Sequence, residues 1–313
     1  MAIYTNISSF ELEKIASYYG IEAINSFPIN GGNANSNYCL QSKDGKYIVT
    51  VFEEASLEKI CTMGYLLQYL ERYKFPTSQV QTTYSDKIVT QWHEKPVLVK
   101  KWINGTVPTL LNETLLEQVG RVMAQLHRVP APPYLPQSHD YGLELFSTVF
   151  GKSIDLSYES WLKNQYQDLN FLLPIKLPMG LIHGDLFYDN ILYEKNNLKA
   201  FIDFEQSCYY YLLFDLGMGI LGLCQNQEKI DIVKAKYFIK GYEQVRSLEP
   251  LEKELLQVLI GYAATATSFW RFWKYNIHSP NIELRNEHWK MVRIAEDVKR
   301  CRQEDFLSIF DPA

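Results

Sequence analysis

The 313-residue chain is poor in cysteine, and its five thiols (Cys39, Cys61, Cys208, Cys224 and Cys301) are odd in number, with no Cys-x-x-Cys pair and no histidine at zinc-finger spacing. That excludes a disulfide-stapled scaffold and a zinc finger, and reduced, mostly buried thiols are expected. No run of about 18 apolar residues occurs, so no membrane-spanning helix is expected. Glu11 and Glu13 stand where a signal peptide would need an apolar segment, so a cytoplasmic protein is expected, whose sequons at Asn6, Asn104 and Asn112 carry no glycan. Charge of one sign is also missing. With 31 Lys+Arg against 36 Asp+Glu the net charge is -5, and like charges cluster no further than pairs such as Glu53-Glu54 or Lys100-Lys101, which argues against a nucleic-acid partner. Glycine (16) and proline (13) are too few for a collagenous or low-complexity chain, and 47% hydrophobic residues suffice for two average domains or one large fold with two lobes.

From Phe27 to about Lys101 short apolar alternations (Tyr38 to Leu40, Tyr47 to Phe52, Lys87 to Gln91, Val97 to Lys101) read as strands, broken by turns such as Asp44-Gly45. Ala55 to Tyr73 interrupts them with a helical stripe of Leu57, Ile60, Met63, Leu67 and Leu70. The period then turns helical, beginning with an Asn112-capped segment that ends near His127, before Pro130. Further amphipathic helices are expected at 159–173 and 229–247. Between them lies a β-rich island, Leu181 to Tyr193 and Ala200 to Phe204, around a turn at Asn196-Asn197. The layout predicts a small sheet-plus-helix lobe (1–101), a connector beginning near Lys101, and a larger helical lobe (102–313).

The island carries the chemistry. His183-Gly184-Asp185-Leu186-Phe187-Tyr188-Asp189-Asn190 has the frame H-x-D-x-x-x-x-N, and Asp203 follows at the end of an apolar strand. A transferring phosphoryl group asks little covalent chemistry of a protein: one carboxylate to orient and deprotonate the acceptor hydroxyl, and oxygen ligands for Mg²⁺. Asp185 suits the first role; Asn190 and Asp203 suit the second.

HGDLFYDN followed by IDFE, behind a sheet-rich N-terminal part, resembles the aminoglycoside phosphotransferase and choline kinase superfamily, small-molecule kinases that share the two-lobed protein-kinase fold. The resemblance implies an α+β fold with an N-terminal antiparallel sheet lobe and a larger, mainly helical C-terminal lobe. It also implies ATP and Mg²⁺ as cofactors and a small alcohol as acceptor. Gly184 replaces the Arg of a protein kinase's catalytic loop, no Lys follows Asp185 by two, and no A-P-E occurs, which disfavours a protein substrate. The opening MAIYTNISSFELEKIASYYGI, the loop GGNANSNYCL, the strand YIVTVFEE and the stretch GYEQVRSLEPLEKELLQVL are most similar to homoserine kinases of this fold, which make O-phospho-L-homoserine on the route to threonine. IDFEQSCYYYLLFDLG is also similar to choline and ethanolamine kinases. A choline, ethanolamine or aminoglycoside kinase, and a non-catalytic nucleotide-binding pseudokinase, are the alternatives.

The resemblance distributes further roles. Gly31, Gly32, Asn33, Asn35, Ser36 and Asn37 form a small-residue loop whose backbone N–H groups could approach phosphates, and the Lys101-Trp102-Ile103 backbone lies where adenine would bind. His183 and Asp215 are structural at the site, although Asp215 also reads as a helix N-cap. The β-strand lysine that bridges nucleotide phosphates in kinases is replaced by Thr50, leaving Lys43, Lys46 or another cation to supply the charge. For the acceptor, Arg271 is a carboxylate partner for homoserine, whereas Tyr209, Tyr210, Tyr211, Trp161 and Trp270 are the faces a choline ammonium would need. Gly217 to Gly222 matches G-x-G-x-x-G without the βαβ context of a dinucleotide site, and Gly151-Lys152-Ser153 lacks the first glycine of a P-loop, Phe146 standing there.

Overall fold

The computed structural model describes residues 5–29, 35–108, 110–173 and 176–311. The chain divides into two compact units. The first runs through Thr106 and also takes in Leu192–Glu194 and Lys199–Glu205; the second holds Val107–Ile191, Lys195–Leu198 and the remainder from Gln206.

In the first unit, α1 (Ser9–Tyr18) opens on a capping box in which Ser8 and Glu11 satisfy each other's backbone donors. Strands β1 (Ala23–Pro28), β2 (Asn35–Ser42), β3 (Gly45–Phe52), β4 (Val89–Trp92) and β5 (Lys95–Lys101) form an antiparallel sheet in the order β1-β2-β3-β5-β4. Strand alternation sends Tyr38, Leu40, Val49, Val51, Val97 and Val99 to one face. There they meet Leu12, Ile15 and Ala16 of α1 in a closed apolar cluster. The opposite face carries Asn35, Asn37, Thr50, Leu98 and Lys100, by register with one another. Helix α2 (Leu57–Arg72), N-capped by Ser56, buries Ile60, Met63, Leu67 and Leu70, close to the helical stripe expected from 55 to 73.

The second unit is mainly helical. Helix α3 (Glu113–His127) is capped by Asn112 as the sequence predicts. Helix α4 (Leu156–Leu172) is followed by β6 (Met179–Ile182), the hairpin β7 (Ile191–Glu194) and β8 (Asn197–Phe201), and β9 (Cys208–Tyr211). Helix α5 (Leu212–Leu223) is buried nearly all round, as a helix apolar on every side must be. Its glycines explain the G-x-G-x-x-G string: a Cβ on Gly217 would sit 2.6 Å from the Leu259 carbonyl oxygen and one on Gly222 2.4 Å from that of Leu186, so both permit close backbone packing. A two-strand ribbon, β10 (Gln225–Asn226) and β11 (Lys229–Ile230), precedes α6 (Ile232–Glu243), then α7 (Pro250–Trp273), α8 (His288–Arg300) and α9 (Gln303–Leu307).

Three local expectations are corrected. The helix expected from 229 starts at Ile232, because Asp231 accepts from the Lys234 N–H and caps it there. The turn in the island is Lys195-Asn196, both with positive φ (50° and 62°) as a tight two-residue hairpin demands, one residue earlier than expected. The strand expected to reach Phe204 stops at Phe201, since Asp203 takes a left-handed conformation (φ 65°) that a strand cannot contain.

Candidate active site

The catalytic-loop residues sit in the second unit, just after β6. Gly184 adopts φ 83°, and a Cβ there would fall 2.5 Å from the Gln206 carbonyl oxygen and 2.8 Å from His139 Nε2. The chain at this point therefore needs glycine, which accounts for the absence of the protein-kinase arginine. His183 is fully buried, and its Nδ1 accepts from the Asp185 N–H at 3.3 Å. Asn190 Nδ2 donates to the Asp185 carbonyl at 2.8 Å, closing the loop on itself across five residues.

Asp215 anchors this loop from α5. Oδ2 accepts from the His183 N–H at 3.0 Å, and Oδ1 from the Gly184 N–H at 2.7 Å. Asp215 is not an N-cap: Tyr211 occupies that position, and Asp215 lies inside the first turn. The His127 Nε2 stands 3.0 Å from Oδ2, and the His127 Nδ1 meets the Tyr242 hydroxyl at 2.7 Å. Burial alone would raise the Asp215 pKa, yet the His127 hydrogen bond and charge, with the His183 ring and N–H, hold the carboxyl below its usual range. A carboxylate that keeps its charge without water is a strong fixed acceptor.

The Asp185 carboxylate receives the Tyr141 hydroxyl on Oδ1 at 2.9 Å, and that hydroxyl also lies 3.2 Å from the Gly184 carbonyl oxygen. His139 Nε2 meets the same carbonyl at 3.1 Å. Sequence reasoning missed His127, His139 and Tyr141: the groups they touch at the site lie 43 to 115 residues away, and no local pattern marks them.

A cavity of about 450 Å³ in this unit is lined by Phe187 and Tyr188 of the loop together with Arg271, Glu287, Lys290 and Met291. Arg271 is half-buried and 3.9 Å from Glu287; burial pulls its pKa down, against the attraction of Glu287 and Asp185. The proposed aromatic faces fall elsewhere. Tyr209 and Trp270 do not line this cavity. Strand alternation turns Tyr210 inward, where its hydroxyl bonds Tyr262 at 2.7 Å, and the Trp161 ring nitrogen donates to Glu296 at 2.6 Å. Trp270 packs against Tyr141 and Tyr275, with ring centroids 6.3 and 6.0 Å away.

The remaining site residues belong to the first unit. Gly31, Gly32 and Asn33 lie outside the described residues. Asn35 Nδ2 donates to Glu205 at 2.6 Å, and Asn37 Oδ1 accepts from the Thr50 hydroxyl at 2.8 Å. Ser36 turns its side chain to the buried α1 face, its hydroxyl bonded to Glu53 and accepting from the Thr5 N–H, so only its backbone is left for a phosphate. The amides of Lys101 and Trp102 are likewise committed, to the Gln79 and Lys46 carbonyls at 2.8 and 2.9 Å, and cannot serve adenine as donors. Among the described residues the Ile103 N–H has no such partner, so it is the donor left from that segment. Asp203 and Glu205 follow β8. Burial and the neighbouring Asp203 charge push the Glu205 carboxyl up to about 7, against the pull of Lys59, Lys100 and Asn35.

Among the described residues no group of three or more His, Cys, Asp or Glu is placed to hold a metal ion. Of the two expected metal ligands, Asn190 lies in the second unit and offers an amide oxygen, and Asp203 lies in the first and offers a carboxylate. That set fits Mg²⁺, which keeps several waters and is bound through one or two protein oxygens plus substrate phosphates.

The model of the phosphotransferase enzyme family matches residues 27–248. Homoserine kinase of Caulobacter vibrioides is 28% identical over 274 residues, 84% of this chain and 86% of its own length. That of Bartonella henselae is 25% identical over 308 residues, 93% and 94%. Among solved structures, amicoumacin kinase in complex with AMP-PNP, Ca²⁺ and Ami superposes with a TM-score of 0.73 at 15% identity, covering 94% of this chain and 93% of that one. A microcompartment-associated aminopropanol kinase does so with a TM-score of 0.73 at 15% identity, covering 96% and 100%. The fold is thus the two-lobed α+β kinase-like fold of these enzymes.

Proposed function

Because the chain belongs to the phosphotransferase enzyme family, we propose that it moves the γ-phosphoryl group of ATP to the hydroxyl of a small zwitterionic alcohol, L-homoserine being the first candidate. The products are O-phospho-L-homoserine and ADP, and the reaction belongs in the cytoplasm on the route to threonine. The observation that carries the substrate class is the cavity beside the Asp185 loop, whose lining offers Arg271 to a carboxylate and Glu287, which also holds Lys290 at 2.8 Å, to an ammonium. Homoserine bears both. A choline-type acceptor is less well served there, since none of Tyr209, Tyr210, Tyr211, Trp161 and Trp270 lines the cavity, although Phe187 and Tyr188 do.

Asp185 orients the acceptor hydroxyl and takes its proton as the oxygen attacks phosphorus, while Tyr141 fixes the carboxylate rotamer. Asn190 and Asp203 are the protein ligands of Mg²⁺, which when bound neutralises charge on the β- and γ-phosphates. The Ile103 N–H serves the adenine edge, and Asn35 and Asn37 stand near the phosphates. His183 and Asp215 hold the loop.

The test is an ADP-release assay with phosphorus NMR of the product, run on homoserine, choline, ethanolamine, aminopropanol and an aminoglycoside. The highest kcat/KM on homoserine is expected. Preference for choline or an aminoglycoside would reject the substrate and keep the reaction class. Thermal stabilisation by ATP with no ADP released from any acceptor would make the chain a nucleotide-binding module instead.

A further inference from the structure

Thr50 leaves the sheet without the lysine that a kinase sets on its third strand, and strand register supplies a different cation. Thr50 pairs with Leu98, and Ile48 with Lys100. Lys100 therefore projects from the same sheet face as Thr50, on the neighbouring strand and one diagonal step away, within reach of a long side chain.

A second set of contacts brings this lysine to the acidic end of β8. The segment from Pro76 to Val80 is stitched to both: Thr77 bridges Phe201, whose N–H bonds the Pro76 carbonyl at 3.0 Å, and Val80 bridges Lys100. Asp203 and Glu205 follow directly, and both attract the Lys100 ammonium. The side chain is half-buried, and among the described residues it forms no ion pair within 4 Å.

Of the other lysines of this sheet, Lys101 is exposed and alternates to the opposite face, and the rest are committed or distant. Lys95 is bound to Glu53 at 2.5 Å and to the Thr5 hydroxyl at 2.7 Å. Lys43 is exposed and pairs with Glu22 at 3.6 Å. Lys46 lies over the Trp102 ring at 6.0 Å and, four residues before Thr50 on the same strand, is roughly 13 Å away along it.

Resting on the nucleotide-binding reading above, we propose that the Lys100 ammonium binds the nucleotide phosphate oxygens in place of a third-strand lysine, with Asp203 and Glu205 aiming it. Neither Lys43 nor Lys46, the candidates visible in the sequence, is needed for that role. Lys59 of α2, which is attracted to Glu205, is the rival that the experiment must separate.

The experiment is calorimetric titration of adenosine, ADP and ATP, without added metal, into the wild type and the variants K100M, K100R, K59M and K43M, with circular dichroism to verify folding and ATP kinetics on the same proteins. A charge-assisted hydrogen bond lost from the phosphates should weaken ADP and ATP binding about 10- to 100-fold in K100M. Adenosine affinity should stay unchanged. K100R should come back to within a few-fold of wild type, and K43M should match it. If K100M does not fold, K100Q takes its place in the same comparison. Undiminished ADP binding in the folded Lys100 variant, an equal loss for adenosine and ADP, or a phosphate-selective loss confined to K59M overturns the assignment. The two proposals fail separately. A wild type that binds ADP through Lys100 but phosphorylates no alcohol defeats the proposed reaction alone. A wild type that turns over, with K100M keeping its ATP KM, defeats the role of Lys100 alone.

Discussion

The loop around Asp185 and the acidic end of β8 around Asp203 are both rich in polar groups, but they are held in opposite ways. The loop is fastened by buried hydrogen bonds: Asp215 to two amides and His127, Tyr141 to Asp185, and Asn190 back to the Asp185 carbonyl. The β8 end has Asn35 bonded to Glu205, a left-handed Asp203, and otherwise charges that attract without pairing closely. A group that must meet a hydroxyl in one orientation gains from a rigid scaffold. In the proposed reaction, groups that take up a metal and a phosphate gain from charge that is still uncommitted. The difference teaches which failures to expect on each side: geometric in the loop, electrostatic at the strand end.

The sharpest test of that contrast is Asp185→Asn, which removes the proton acceptor and keeps the shape. Turnover should fall about 10³-fold with the melting temperature nearly unchanged, as for a group acting in the transition state. Turnover near wild type would remove Asp185 from the chemistry. Asp215→Ala attacks the fastening instead. It strands two buried amides and a buried histidine, and urea unfolding should show a loss of about 3–5 kcal/mol. A loss under 1 kcal/mol would mean that the loop is held by something else. Gly184→Ala should cost about 1–3 kcal/mol for the left-handed backbone alone, before the contact with Gln206 is counted. A neutral substitution would show that the loop can shift without harm.

The smallest effect separates the two units by pH. In the second, His288 is buried against Tyr158 and Phe272, and neither ring nitrogen has a hydrogen-bond partner among the described residues. Burial lowers its pKa from 6.5 to about 4, the nearby Arg285 backbone opposing the shift without reaching hydrogen-bond geometry. A histidine kept neutral is a liability in acid, because the unfolded chain takes up the proton first. Its stabilisation is present above pH 6.5 and drains away towards pH 4, by about 2 kcal/mol at pH 5. In the first unit, burial would raise the Glu53 carboxyl, but Lys95, Ser36 and Thr5 together hold it below its usual range. Its contribution persists until the pH falls below about 4.5. Between pH 7 and pH 5 the denaturant midpoint should therefore fall for the second unit but not for the first, where Glu205, its carboxyl pushed up to about 7, gains stability on taking up a proton, and His288→Phe should remove the loss in the second. A simultaneous loss in both units would reject this account.

Much of the chemistry was legible because it is contiguous. H-x-D-x-x-x-x-N lies on one turn of chain, the Asn112 cap and the apolar stripe of α3 lie within 16 residues of each other, and the alternations of β2, β3 and β5 follow from side chains that must face one core. The three tyrosines at 209 to 211 misled. Read as a cluster they suggest a cage, but in β9 they alternate, so the middle one is buried and bonded to Tyr262 while the outer two point the other way. Ser36 alternates in the same way, its side chain turned to the α1 face while its neighbours Asn35 and Asn37 face away from it.

Residues close in the chain thus disclosed the reaction class through their spacing, which needs no more than one strand and one turn to be meaningful. Which partners stand behind them was left to the packing of distant segments: His127 under Asp215, Tyr141 against Asp185, and Lys100 beside Thr50. Register and helix contact are settled by the burial of whole faces, and no local pattern encodes a neighbour that arrives from 50 or 90 residues away.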